Sequence, residues 1–370
     1  MKKTLHIIGS VSRTLLGLTF IFSGFVKAVD PLGTTYKIED YLKAFGGFFT
    51  NLLPLAQIAA WCLICFEFVL GICLLANIKP RLTTWLALLM MLLMTPLTLY
   101  LALTNPISDC GCFGDAVVLS NWQTFIKNII LLLLVLILIL TGKYTPRQTF
   151  TDMAEAVIAA GALLLVCSLM LYTRLHLPLL DFRPYKIGNN IPELMEYPED
   201  AEPDKYETLL IYEREGVQQT FTLQDYPRGD STWTFVDQQT KLVKKGFEPP
   251  IHDFEIITLD GDDLTDDVLS ADRATLVVMY DLQKAGCSKK RMEKMQKLFD
   301  NADAAGEPCY ILTGSGEQEI QAFCDAYEWL SPARFCLTDP VTLKTIVRAN
   351  PGVIVLENGT ITDKYNLRNR

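Results

Sequence analysis

The sequence predicts an α-helical membrane bundle of five spans followed by a water-soluble α/β domain, and three observations carry that prediction. Half of the 370 residues are hydrophobic and the mean hydropathy is +0.24, too apolar for an ordinary soluble chain. The excess lies before about Leu177, in runs of about 17 to 23 apolar residues, the length a helix needs to cross ~30 Å of hydrocarbon. Beyond Leu177 the composition is that of a soluble domain, and most of the formal net charge of −9 resides there.

The candidate spans are Thr14 to Val29, Leu55 to Ile78, Leu82 to Leu103, Thr124 to Thr141 and Met153 to Tyr172. Lys2, Lys3 and Arg13 precede the first as the basic region of a secretory signal would, but no A-x-A-like cleavage site follows, so a retained helix is expected. Lys2, Lys3 and Arg13, then Lys79 and Arg81, then Lys143 and Arg147 fall on one side of the membrane, which the positive-inside rule makes cytoplasmic. An odd number of spans then puts the C-terminal domain outside. Acidic stretches such as Glu199-Asp200-Ala201-Glu202 and Asp260-Gly261-Asp262-Asp263 argue against nucleic acid or anionic lipid as the partner of that domain.

Residues 178–246 read as an extracytoplasmic connecting region rich in proline, with a short hairpin of Thr208 to Tyr212 and Gln219 to Leu223 about Glu215-Gly216, and a strand at Trp233 to Val236. From 247 to 370 strands and helices alternate: a strand at Ala274 to Tyr280, a helix at Lys289 to Asn301, a strand at Cys309 to Leu312, and a helix at Glu317 to Trp329. A strand at Val353 to Leu356 and a turn at Asn358-Gly359 close the series. Alternation closed by a hairpin indicates an α/β layer domain.

The ten cysteines are the candidate chemistry. Cys62 and Cys65 stand three apart on the second span, close enough along one helix to form a redox pair within reach of a membrane-soluble quinone. Against this, cysteine is at home in apolar helices. Glu67 is an ionisable group within the span, a functional candidate as proton acceptor or a polar contact that fixes helix packing. Asp109-Cys-Gly-Cys-Phe-Gly-Asp115 places two thiols about a glycine in an outward loop, where they would exchange with another thiol pair. A structural disulfide is the competing reading. No metal site is expected, since the three histidines are scattered and a thiolate-only site would need Cys62 and Cys65 to join the loop. Cys309, Cys324 and Cys336 fall in elements expected to be buried.

Two resemblances add to this. Gly17-Leu-Thr-Phe-Ile-Phe-Ser-Gly-Phe-Val-Lys27 with Asp30-Pro-Leu-Gly33, Glu67, the amphipathic Tyr36 to Phe45 segment, and Cys110-Gly-Cys-Phe-Gly114 followed by Asn121-Trp122 resemble the DoxX and MauE families of four-helix membrane proteins. Residues 1–150 would form that domain and 151–177 a fifth spanning helix. The resemblance implies redox work in the envelope of a bacterium, at the cytoplasmic membrane: maturation of a disulfide-rich dehydrogenase on the MauE side, quinone-linked sulfur oxidation on the DoxX side.

Phe247-Glu-Pro-Pro-Ile-His-Asp-Phe254, Phe335-Cys-Leu-Thr-Asp339 and Asn350-Pro351-Gly-Val-Ile-Val resemble the thioredoxin-like domains of peroxiredoxins and envelope thiol reductases, with Pro351 at the family's cis-proline position. Where that family has C-x-x-C, this chain has Lys284-Ala285-Gly286-Cys287, so a lysine replaces the attacking cysteine and only the resolving position keeps its sulfur. The domain alone should not cycle as a reductase, because dithiol exchange needs two sulfurs within bonding reach.

The leading expectation is therefore a thiol-disulfide redox protein in which electrons from an extracytoplasmic dithiol client enter at Cys110 and Cys112, pass to Cys62 and Cys65, and leave to a quinone, with Glu67 handling a proton. No resident cofactor is expected. The alternative is a non-catalytic assembly factor in which the acidic domain docks an envelope client and the cysteines are structural.

Overall fold

The computed structural model describes residues 2–107, 109–142, 150–198, 200–203, 205–244, 246–327 and 329–369. Lys143, Arg147 and Glu199 lie outside the described residues. Among the described residues five helices are long and apolar enough to cross a membrane: α1 (Lys2–Val29), α3 (Ala56–Leu75), α4 (Pro80–Thr104), α5 (Asn121–Thr141) and α6 (Asp152–Leu175). Between α1 and α3 runs α2 (Pro31–Phe45), capped by the Asp30 side chain accepting from the Gly33 amide and started by Pro31, followed by a 3-10 segment at Gly47–Leu55. The first span begins earlier than Thr14 because nothing between Lys2 and Arg13 breaks a helix.

Helices α1 and α3 pack with their backbones close together. A methyl group added at Gly24 would lie 2.8 Å from the Phe68 amide nitrogen, and one at Gly71 would lie 2.6 Å from that of Ile21. This contact sets Ser23 and Lys27 of α1 against Glu67 of α3. Lys79 bonds Asp152 and lies 3.4 Å from Glu155, tying the α3–α4 turn to the start of α6 at one end of the bundle. The α1–α2 elbow, the 105–120 loop and the soluble domain share the opposite end, as five crossings require.

The soluble part holds two sheets among its described residues. Strands β1 (Lys205–Arg214), β2 (Val217–Thr222) and β3 (Thr234–Lys244) form an antiparallel sheet in the order β2-β1-β3, so the expected hairpin is present and the strand after Trp233 is longer than expected. The second sheet runs β4-β7-β6-β5-β8-β9, from β4 (Ile257–Thr258), β5 (Ala274–Val278), β6 (Cys309–Thr313), β7 (Phe335–Leu337), β8 (Gly352–Glu357) and β9 (Thr360–Asn366). β5, β6 and β7 are parallel, whereas β8 is antiparallel to both β5 and β9. Helix α7 (Ile191–Met195) precedes β1, α8 (Thr265–Ser270) lies between β4 and β5, α9 (Lys289–Ala305) connects β5 to β6, α10 (Glu317–Asp325) follows β6, and α11 (Pro340–Ile346) leads to β8. The Asn350–Pro351 peptide before β8 is cis. This is a thioredoxin-like arrangement.

Three details differ from the sequence reading. Helix α10 stops at Asp325 rather than Trp329, where turn bonds from Ala326 to Phe323 and from Tyr327 to Cys324 end it. Strands β4 and β7, at one side of the sheet, are two and three residues long, too short to leave an alternating pattern. Part of the supposed connector is core: Tyr185 and Ile191 pack with Phe254, Leu276 and Ile354, and Asp181 bonds both Arg183 and Lys364 beneath the sheet.

Candidate functional site

The bundle encloses an apolar cavity of about 360 Å³ beneath the 105–120 loop. Phe20 of α1, Met90 and Met94 of α4 and Leu131 of α5 supply apolar wall, while Lys27, Glu67, Lys127 and Asn128 supply a few polar groups. Cys110 and Cys112 form part of the outer wall. A pocket of this size, mostly apolar with few convergent polar groups, has the character of a small-molecule site.

The two loop sulfurs are 2.9 Å apart, brought together by the left-handed turn at Gly111, whose φ is +64°. Tyr41 donates to the Cys110 carbonyl at 2.8 Å, Lys37 pairs with Asp109 at 2.8 Å, and the Asp109 carboxylate accepts from the Gly111 amide. The loop is therefore held from α2 on its outer side. On its inner side the Ser23 hydroxyl lies 2.7 Å from the Cys112 carbonyl oxygen and 2.8 Å from Glu67 Oε2, so its single proton serves one acceptor or the other. Lys27 donates to Ser23 at 2.9 Å and to both Glu67 oxygens at 2.9 and 2.7 Å, and both members of the ion pair are buried.

The two thiols are unequal. A hydrogen bond from Cys110, together with the positive charges of Lys127 and Lys27, brings the Cys112 thiol down to about 6 against the opposing effect of burial. The Cys110 thiol is pushed up, chiefly because it is the donor in that bond and also by burial. A thiol lowered in this way stays ionised as pH falls until about its own pKa. Alkylation of Cys112 in the reduced protein should accordingly hold its rate from pH 8 to 7 and halve near pH 6, as read by mass spectrometry of the modified peptide. Cys110→Ser should move that midpoint up most and Lys127→Met by less; an unmoved midpoint in both would remove this electrostatic account.

Cys62 and Cys65, expected as a redox pair, are placed outside the cavity that the loop sulfurs line. Ala59, Leu63 and Glu67 recur at four-residue spacing and face the cavity, so the cysteines lie on other faces of α3 and do not line it. Cys62 is exposed on the outside of the bundle, and Cys65 packs against α6, its sulfur 3.7 Å from that of Cys167. The cavity that reaches Cys110 and Cys112 therefore does not reach these two sulfurs. In the soluble domain Lys284 is exposed and paired with Asp281 at 2.7 Å, while Cys287 is half-buried with its thiol raised by that burial. Pro351 lies behind its cis bond at the start of β8, and the Asn350 carbonyl accepts from the Gly286 amide at 3.0 Å. Cys309, Cys324 and Cys336 are buried.

Sequence reasoning missed Ser23, Lys27, Tyr41 and Lys127 as parts of the site. Lys27 could have been found, because an ionisable group at the end of one span is the natural partner for a carboxylate within another.

Residues 5–141 match the family model of the methylamine utilisation protein MauE. That match takes in the first four spans and the Cys110-Gly-Cys112 loop, and α6 and the soluble part lie outside it. Residues 206–245, which cover β1 to β3, match a domain of unknown function, DUF8463. No curated protein matches the chain. Among solved structures, one described as "Identification of a disulfide switch in BsSco, a member of the Sco family of cytochrome c oxidase assembly proteins" is similar at 12% identity over 32% of this chain and 84% of that one, with a TM-score of 0.26.

Proposed function

We propose that this multi-pass membrane protein is a thiol-disulfide oxidoreductase whose working dithiol is Cys110 and Cys112, oxidising a dithiol client on the extracytoplasmic side and delivering the electrons to a quinone. The observation that carries this reading is the position of the two sulfurs in the wall of an apolar cavity, beside the buried Lys27–Glu67 pair. The MauE match supports an envelope redox setting.

The exchange balances without a further reactant. A client thiolate attacks Cys110 Sγ, the Cys110–Cys112 disulfide breaks, and Cys112 leaves as the thiolate that its neighbours stabilise. The second client thiolate then attacks the client sulfur of the mixed disulfide, forming the client's disulfide and releasing Cys110. Restoring the loop disulfide removes two electrons and two protons, and a quinone supplies the sink for both. The cavity fits such a group: its apolar walls suit a ring and an isoprenoid chain, and the Lys127 ammonium on its wall would donate to a carbonyl oxygen. Lys27, Ser23 and Glu67 can hold a proton next to the Cys112 backbone.

In cells carrying Cys112→Ser, the lone Cys110 should attack the disulfide of oxidised client, the reverse of the second exchange, and accumulate as a mixed disulfide visible on non-reducing gels and lost on reduction. Absence of any adduct, with the thiol state of envelope proteins unchanged, would favour the assembly-factor reading, for which the replacement of the attacking cysteine by Lys284 is the supporting observation.

A further inference from the structure

The soluble domain sits directly over the dithiol loop, and one arginine makes the junction. Arg348, which follows α11, is 8% exposed and donates from Nε to Asp30 Oδ2 at 2.8 Å and from Nη2 to Asp115 Oδ2 at 3.4 Å. Asp30 is the cap of α2, and Asp115 directly follows the Cys-Gly-Cys-Phe-Gly turn, so the guanidinium fastens the soluble domain to both flanks of the site. The Tyr36 ring lies 5.4 Å from the Arg348 guanidinium and 4.9 Å from Lys344 Nζ, and its hydroxyl is 3.3 Å from that of Tyr280. A charge buried this deeply between two carboxylates is costly to unpair, which keeps the junction closed.

Between the two domains lies a cleft of about 220 Å³ whose lining includes Gly111, Gly114, Lys43, Asp115, Lys344 and Arg348. Thr34, Lys37 and Gly111 border both this cleft and the apolar cavity. The Cys-Gly-Cys turn therefore stands in the partition between the cleft and the apolar interior, Gly111 bordering both spaces while Cys110 and Cys112 line the interior. The cleft has room for one or two side chains of an extended chain. A folded thiol protein would instead need to lay roughly 500 to 800 Å² of its surface against the site.

We propose that the thioredoxin-like domain is the outer wall of the dithiol site, and that Arg348 positions it so that the cleft admits an extended, cysteine-bearing polypeptide and excludes a folded thiol protein. This rests on the dithiol reading above. A domain without its own attacking cysteine thereby selects the client for a site in another domain.

The test uses the full chain in detergent with a short-chain quinone and three reductants: dithiothreitol, a reduced synthetic peptide with two cysteines, and reduced folded thioredoxin. Each rate is divided by the same variant's rate on dithiothreitol. The peptide should exceed thioredoxin by about tenfold or more in the unaltered protein, Arg348→Gln should bring the two within about threefold, and Arg348→Lys should restore part of the preference. Asp30→Asn breaks the same ion pair from the membrane side and should reproduce the Arg348→Gln result if that variant does not fold. Equal use of peptide and thioredoxin by the unaltered protein, or a ratio that neither variant changes, would overturn the proposal. Failure of the unaltered protein to oxidise dithiothreitol would remove the redox reading beneath it, a separate outcome.

Discussion

Serine at Cys110 or Cys112 is expected to abolish the transfer of electrons from dithiothreitol to a quinone, a loss of roughly a thousandfold or more, because neither sulfur has a substitute within bonding reach. Cys62→Ser and Cys65→Ser should retain the rate within about twofold, since neither side chain lines the cavity: Cys62 is exposed and Cys65 packs against α6. The four variants together discriminate between a single dithiol and a relay. A large loss at Cys62 or Cys65 with the protein still folded would reinstate the second pair, and turnover without Cys110 would end the proposed mechanism. The measurement is the decrease in quinone absorbance in purified protein, with thiol counts confirming that the remaining cysteines are reduced.

The second large effect concerns stability. Lys27 and Glu67 face each other in the bundle interior with little solvent, and removing one partner strands a charge where neither water nor lipid can stabilise it. Lys27→Met should therefore destabilise the bundle by about 3–5 kcal/mol, whereas Lys27→Met combined with Glu67→Leu should cost less than either single change. Unfolding in detergent, followed by helix content or by thiol accessibility of the buried Cys73, reads this directly. Single variants as stable as the unaltered protein would show that the pair is not buried in the way the α1–α3 contact implies. The double variant also separates structure from chemistry, because a folded protein that no longer turns over would assign the pair a part in proton handling.

The membrane half was legible for an elementary reason. A span must satisfy its backbone within itself and present apolar surface, so length and composition alone reveal it. The loop motif was legible too, since Cys-Gly-Cys puts both sulfurs in one turn whatever surrounds it. The thioredoxin-like order of β5, β6, β8 and β9 followed from runs of β-formers and from the Asn350-Pro351 and Asn358-Gly359 signals. The two shortest strands left no period to read.

What only the tertiary structure decided is which side chains meet. Spacing on a helix says that Cys62 and Cys65 are near one another, but the rotation of α3 against α1 and α6 turns Glu67 inward, Cys65 toward Cys167 and Cys62 outward. That rotation is set by close backbone contacts at Gly24 and Gly71. Likewise, Arg348 and Asp30 stand more than three hundred residues apart, and their ion pair follows from how the soluble domain settles on the bundle, a matter of surface shape and charge with no local periodicity to announce it.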